Sequence, residues 1–460
     1  MNKIINLDLF YYLLFGLAIF YLAVGIWSAR SVRTLKNYFL ANQNLGIFKL
    51  TFALIASQLG SGMILGTAYQ AYYIGFWGLV YTIGISISFI ILGCGFAARM
   101  RALNISTTAE IFQTHYKSNR LRMIASILSI ISLWGILIAQ MVASKALFSG
   151  LGIIDPYIFI SCWLFIIAYT MLGGLQSIVL VDIVQLLFII TAFVITLKWV
   201  VPVKIIKYLT PIKLAYIQHR LFKTSIDIYE ILPTLCLPLL FALISQDISQ
   251  KFFAAKTKIT ATISSFLAAL FLIIFSCIPI YFGVMARIQG IKISNNANPF
   301  VILLAKQCPS WMFIGLVCAI LAAIMSTASS LLCAINSNIV QDFVSYLHFE
   351  HKKLWVTKSI ALLVGLSALI SSMFISGDII SILEESCRIS VICLFVPIFI
   401  AYLSKPKDSW PAWGAVLSGL TAYCLLYFST LPTTDRDVYS LTCSFLGFIV
   451  GYVISRYRKK

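Results

Sequence analysis

Apolar residues in this chain run in blocks of about twenty, separated by short polar connections. A helix needs about 20 mainly apolar residues to cross the hydrocarbon core of a bilayer. By that measure the pattern predicts thirteen spans, centred on 8–28, 47–73, 76–98, 122–147, 156–172, 177–201, 228–246, 261–286, 311–341, 354–374, 379–402, 411–430 and 439–455. The longest connections, about 25 residues, are too short for a separate soluble domain. The expected fold class is therefore an all-α polytopic membrane protein, one domain over residues 1–460.

Composition agrees with the pattern. The 460 residues are 61% hydrophobic and 11% charged, with mean hydropathy +0.97, whereas soluble domains carry about a quarter charged residues. The first span has no strongly basic leader and no small-residue cleavage site, so it reads as a retained helix rather than a signal peptide. Thirty-four Lys and Arg against 15 Asp and Glu give a net charge of +19. No nucleic-acid motif accompanies that excess, and it is read instead as the positive-inside bias of membrane loops. Twenty of the cations fall in one set of alternate connections, from Arg30–Lys36 to Arg456–Lys460, and ten in the opposite set. This places the N-terminus outside and the C-terminus in the cytoplasm of a cell (inner) membrane; the basic connection 202–226 falls outside and runs against the bias. The eleven cysteines lie mostly in apolar stretches without CxxC spacing, and the four histidines lie in polar connections. Neither a Cys/His metal site nor an enzyme's catalytic cluster is expected.

Two spans are poorly suited to unbroken helices. The second contains Ala56-Ser57-Gln58-Leu59-Gly60-Ser61-Gly62 and then Gly66. A break at Gly60 would free the carbonyls of Ala56 and Leu59, whose helical partners are the N–H groups of residues 60 and 63, to ligate a cation. The seventh carries Pro233 and Pro238 before Ser245-Gln246-Asp247. Interrupted spans in corresponding positions of two halves point to a transport site; glycines at helix contacts give the alternative account. In the ninth span Ala323, Ser326, Thr327, Ser330 and Ala334 share one helical face. That face suits either a small hard cation, through two hydroxyls and a carbonyl, or close helix packing.

Ionisable residues inside a membrane are functional candidates by default. Asp182 lies in the sixth span, and Glu384, Glu385 and Arg388 lie early in the eleventh. Glu384 and Arg388, at i and i+4, are placed to neutralise one another.

With these segments, and with Asn37–Ala41, Ala168–Gly174, Ser245–Ala255 and Gln341-Asp342, the chain resembles the sodium:solute symporter family, which includes bacterial proline, pantothenate and sugar symporters and choline transporters. The resemblance covers nearly the whole chain. It implies a LeuT-type core of two inverted five-helix repeats, each starting at a broken helix. The parts would be an extra helix (7–29), the first repeat (46–201), the second repeat (226–402) and two C-terminal helices (410–456). It also implies Na+ as coupling ion, held by the carbonyls of Ala56, Leu59 and Ala323 and the hydroxyls of Ser326 and Thr327, with Asp182 nearby on the exit route. Where proline symporters place an acid in the first broken helix this chain has Gln58, which argues against proline. Gly60-Ser61-Gly62 is closer to choline-transporter-like members.

The function expected is sodium-coupled import of a small polar organic solute (an amino acid, carboxylate or quaternary amine) by alternating access. Gln58, Trp134, Gln140 and Phe241 are the candidate solute contacts by their positions along core helices. A transporter-like sensor and a proton-coupled transporter of the same fold are the alternatives. The partners expected are the solute, sodium and the lipid bilayer, with no nucleic acid; no oligomeric state is assigned.

Overall fold

The computed structural model describes residues 7–458 apart from 31, 154, 209–227, 292–297, 345–352, 405 and 407. Its regular elements are helices: α1 (Leu7–Ala29), α2 (Leu35–Leu40), α3 (Ile47–Gln58), α4 (Thr67–Ile74), α5 (Val80–Ile91), α6 (Ala97–Ala102), α7 (Glu110–Thr114), α8 (Asn119–Gly150), α9 (Pro156–Tyr208), α10 (Ile228–Ala242), α11 (Gln246–Phe253), α12 (Lys258–Ile288), α13 (Pro299–Gln307), α14 (Ser310–Asp342), α15 (Lys353–Phe374), α16 (Ile379–Leu403), α17 (Trp410–Tyr427) and α18 (Thr433–Tyr457). Most of the basic connection 202–226, and the terminal Lys459 and Lys460, lie outside the described residues.

Among the described residues ten helices are long and apolar enough to cross a bilayer, against thirteen runs in the sequence. The difference lies in how neighbouring runs join: the runs 156–172 and 177–201 lie in one helical stretch, α9, broken at Gly174; the runs 47–73 and 76–98 meet in the helical stretch Gly62–Ala102; and the run at 411–430 forms α17, which stands outside the ten. A straight α9 of 53 residues would be about 80 Å long, far more than the ~30 Å hydrocarbon core. It is not straight, because Gly174 sits at φ 57°, ψ −155°. Tyr169 and Asp182, ~20 Å apart along an ideal helix, are electrostatic neighbours, so the chain turns back at Gly174. Only glycine suits this point: φ is positive, and an added Cβ would run into the Tyr38 backbone and ring.

Both suspected interruptions are present. α3 stops at Gln58, Leu59 has ψ 34°, and helical structure resumes at Ser61 through a wide turn at Gly62–Gly66. In the seventh run the prolines are tolerated: Pro233 and Pro238 lie inside α10, and the chain unwinds after them, at Leu243–Ser245, before α11 begins. Glycines let these elements approach closely, since a side chain at Gly84 would strike the Leu235 carbonyl and one at Gly283 the Ala68 carbonyl. At the centre stands α14, whose apolar window is buried throughout. Its Ser326 and Thr327 therefore face protein rather than lipid.

Candidate functional site

The break in α3 is pressed against the middle of α14. Ser326 Oγ lies 3.0 Å from the Ala56 carbonyl and 2.9 Å from the Ala323 carbonyl, and Thr327 Oγ1 lies 3.3 Å from the Ala323 carbonyl. Four of the five residues expected around sodium are thus in direct contact. The fifth, Leu59, forms the break itself and is fully buried; no hydrogen bond ties its carbonyl to the other four among the described residues. Glycine at residue 60 permits this approach, because a Cβ there would fall 2.7 Å from Thr327 Oγ1 and 2.9 Å from Gln140 Oε1 and displace those side chains. Oxygen donors of this kind match a hard cation.

Beside the break lies a central cavity between α3, α5, α8, α10, α11, α14 and α16. Three of the four expected solute contacts, Gln58, Gln140 and Phe241, line it. Gln140 also positions the backbone, because its Oε1 accepts from the Ser61 N–H at 2.9 Å and so satisfies a donor that the break leaves free. Trp134, the fourth expected contact, lies elsewhere. It precedes Gln140 by six residues, about 120° around α8, and its indole N–H donates to Ser367 Oγ of α15 at 3.1 Å, away from the cavity.

The cavity's charge was not legible in the sequence. Glu384 and Asp247 both line it, with Tyr81 and Phe241 supplying aromatic walls, and no Lys, Arg or His joins them among the described residues. The expected Glu384–Arg388 pair does not form. Arg388 instead pairs with Glu385 and, at 2.8 Å, with Asp437 of α18, while Glu384 Oε1 accepts from Thr234 Oγ1 at 2.7 Å. The i, i+4 spacing was a sound signal with a wrong partner, since Asp437 is 49 residues away.

Asp182 is fully buried behind α14, and neither carboxylate oxygen has a hydrogen-bond partner among the described residues. Its neighbour Tyr169 donates to the Met325 carbonyl at 3.4 Å, one residue from Ser326. Asp182 is thus close to the Ser326 group but not part of it.

The two ends of the bundle differ. At the end where α8 begins, Arg122 binds Asp342 at 2.8 Å and Glu110 at 3.5 Å, and Thr107 Oγ1 donates to Asp342 at 2.8 Å. Gln246, the first residue of α11, accepts from the Thr108 N–H at 2.8 Å and donates to the Ser106 carbonyl at 3.0 Å. Burial pushes the Glu110 carboxyl above its usual range, with Arg122 pulling the other way. At the opposite end of α8 a wider cavity opens, lined by Tyr69, Lys145, Asn298 and Asp378.

A family model described as the sodium:solute symporter family matches residues 38–406. The human high affinity choline transporter 1 is 26% identical over 447 residues, covering 88% of this chain and 75% of that protein. Its mouse counterpart is 26% identical over 445 residues, covering 89% and 74%. Among solved structures, a Na+-coupled sialic acid symporter in a substrate-bound outward-open state superposes with a TM-score of 0.81 at 18% identity over 97% of both chains. A nucleobase-cation-symport-1 family transporter, closed with bromovinylhydantoin bound, superposes with a TM-score of 0.61 at 14% identity over 92% of this chain and 95% of that one.

Proposed function

The chain belongs to the sodium:solute symporter family, and from that membership we propose that it is a secondary active symporter importing a small organic cation with sodium. The observation that carries the substrate class is the central cavity, which Glu384 and Asp247 both line and no basic side chain lines among the described residues. Two carboxylates in a site shielded from water favour a positive ligand, and Tyr81 and Phe241 add aromatic faces that attract a quaternary or protonated amine. The similarity to choline transporters supports the same class. An anionic solute such as a carboxylate would face repulsion from both acids.

Sodium binds, in this reading, between the α3 break and α14, held by Ala56, Leu59, Ala323, Ser326 and Thr327. The carbonyl and hydroxyl contacts there support it. Gln58, Gln140, Phe241 and Glu384 hold the solute. Thr327 lines the solute cavity as well as touching Ala323, so the two ligands share a wall and each stabilises the arrangement the other needs. Moving one charge through 100 mV is worth about 2.3 kcal/mol, so entry of a cation together with sodium is driven strongly inward.

The architecture that fits is thirteen crossings: α9 counted twice across Gly174, the stretch 47–102 counted twice across Gly75, and α17 added. Residues 46–201 and 226–402 then form the two inverted repeats, with the N-terminus outside. A reporter active only in the cytoplasm, fused after Lys460, should be active.

Uptake into proteoliposomes tests the function. An inward sodium gradient should drive accumulation of a labelled quaternary amine, and neutral sugars and carboxylates should not compete. Sodium-driven uptake of a carboxylate with no competition by amines would overturn the cation reading. Amine uptake indifferent to sodium would overturn the coupling.

A further inference from the structure

Lys251 is a fourth charged group in this region, opposite in sign to Asp182, Asp247 and Glu384. It lies on α11, one turn after Asp247, and its side chain is among the largest fully buried in the protein. An ammonium away from water needs three acceptors. Among the described residues Lys251 Nζ has two, both long: the Asp247 backbone carbonyl at 3.2 Å and Ser330 Oγ at 3.2 Å. Ser330 lies one turn from Ser326 on the same face of α14, so a positive charge stands about one helical turn from the proposed sodium ligands. Asp182 and Asp247 are its acidic neighbours. Asp182 makes no direct ion pair with it, although the carboxylate has no hydrogen-bond partner among the described residues.

A buried carboxylate without partners usually marks a place for a cation. Here the chain brings its own. We propose that the Lys251 ammonium is a tethered cation that takes the place of a second sodium beside Asp182, so that the protein binds one sodium per turnover. The charges agree with this. Asp182, Asp247 and Glu384 contribute three negative charges against the one positive charge of Lys251, and a single sodium at Ser326–Thr327 with one cationic solute completes neutrality. A second free sodium near Asp182 would meet the ammonium across a poorly screened interior. The side chain cannot leave with the solute, so only the sodium at Ser326–Thr327 moves with the gradient.

The inference rests on the sodium site proposed above, so its test measures the ion without the solute. Labelled sodium is titrated onto the purified full-length protein, and bound ion per chain is counted. Wild type should bind one. Lys251→Met, which keeps length but removes charge, should bind two, or one with at least tenfold higher affinity; Lys251→Arg should behave as wild type. Asp182→Asn, which removes one of the ammonium's two acidic neighbours, should weaken sodium binding at least tenfold, and Asp182→Asn with Lys251→Met should recover most of that loss. This double variant also serves if Lys251→Met alone does not fold. If wild type binds two sodium ions, or the double variant binds no better than Asp182→Asn, the tethered-cation role is overturned. If wild type binds none, the sodium site itself is wrong, which is a separate failure.

Discussion

Ser326 Oγ lies 3.0 Å from the carbonyl of Ala56, across the gap between α14 and the broken end of α3. A packing contact and an ion ligand predict different things for this hydroxyl. Alanine is smaller and suits a close helix contact at least as well, so packing alone tolerates Ser326→Ala. Ligation does not, because one oxygen of about five is lost. Ser326→Ala and Thr327→Ala should each raise the sodium concentration for half-maximal uptake at least tenfold at unchanged expression. Thr327→Ser, keeping the hydroxyl, should lose much less. Unchanged sodium activation in both alanine variants would reduce this face to packing.

Glu384 and Glu385 are adjacent in sequence but act in different places. Glu384 lines the cavity and accepts from Thr234; Glu385 is exposed and pairs with Arg388. Attraction between unit charges 4 Å apart is worth about 4 kcal/mol at an effective dielectric of 20, much of it offset by desolvation. Glu384→Gln should raise the KM for an organic cation at least tenfold and leave its sodium activation near wild type. Glu385→Gln should change KM less than twofold, since Asp437 still holds Arg388. Equal effects in the two variants would remove Glu384 from the solute site.

Gly60 is held to glycine by two neighbours at once. The Cβ of an alanine there would meet Thr327 Oγ1 at 2.7 Å and Gln140 Oε1 at 2.9 Å. Overpacking of this kind costs about 1–3 kcal/mol, and relief displaces the Thr327 hydroxyl on the sodium side and the Gln140 amide on the solute side. Gly60→Ala should therefore weaken sodium and solute together, whereas Gly46→Ala, with open space around its Cβ, should be silent. The measurement is uptake kinetics in both ligands, and loss of solute affinity with sodium activation intact would separate the two sites.

Much of this was legible in the sequence because bilayers impose simple rules. Runs of twenty apolar residues located the helices, and Gly60 and Ser245 marked the interruptions. The Ala323–Ser326–Thr327 face followed from helical periodicity alone. What was hidden depended on contacts between distant segments. Asp437 takes Arg388 from Glu384 across 49 residues, and no local spacing shows that. Trp134 faces α15 because of its angle around α8 relative to Gln140, a relation that helical geometry alone already contains. The runs 156–172 and 177–201 were legible as separate spans, but the sharp turn between them at Gly174, against Tyr38, depends on a contact the sequence does not show.

The network of Arg122 supplies the last test. Its guanidinium spans α8, α7 and α14: Nε meets Asp342 at 2.8 Å, one terminal nitrogen meets Glu110 at 3.5 Å, and the Gln341 carbonyl accepts at 3.0 Å. The Asp342 side chain is fully buried and that of Arg122 is 11% exposed, so the pair is poorly screened by solvent. Removing one partner of such a pair leaves an uncompensated charge, at a cost of about 3–5 kcal/mol. If alternating access opens this end of the bundle, the network must break during each cycle, and weakening it favours the open form. Arg122→Met should lower the melting temperature and increase hydrogen exchange in residues 103–118, while α17 and α18, which do not touch the network, exchange as in wild type. Arg122→Met with Asp342→Asn, which removes both charges, should recover part of the stability but not the closed end. Uniformly faster exchange across all helices would mean that the network holds the fold rather than a gate.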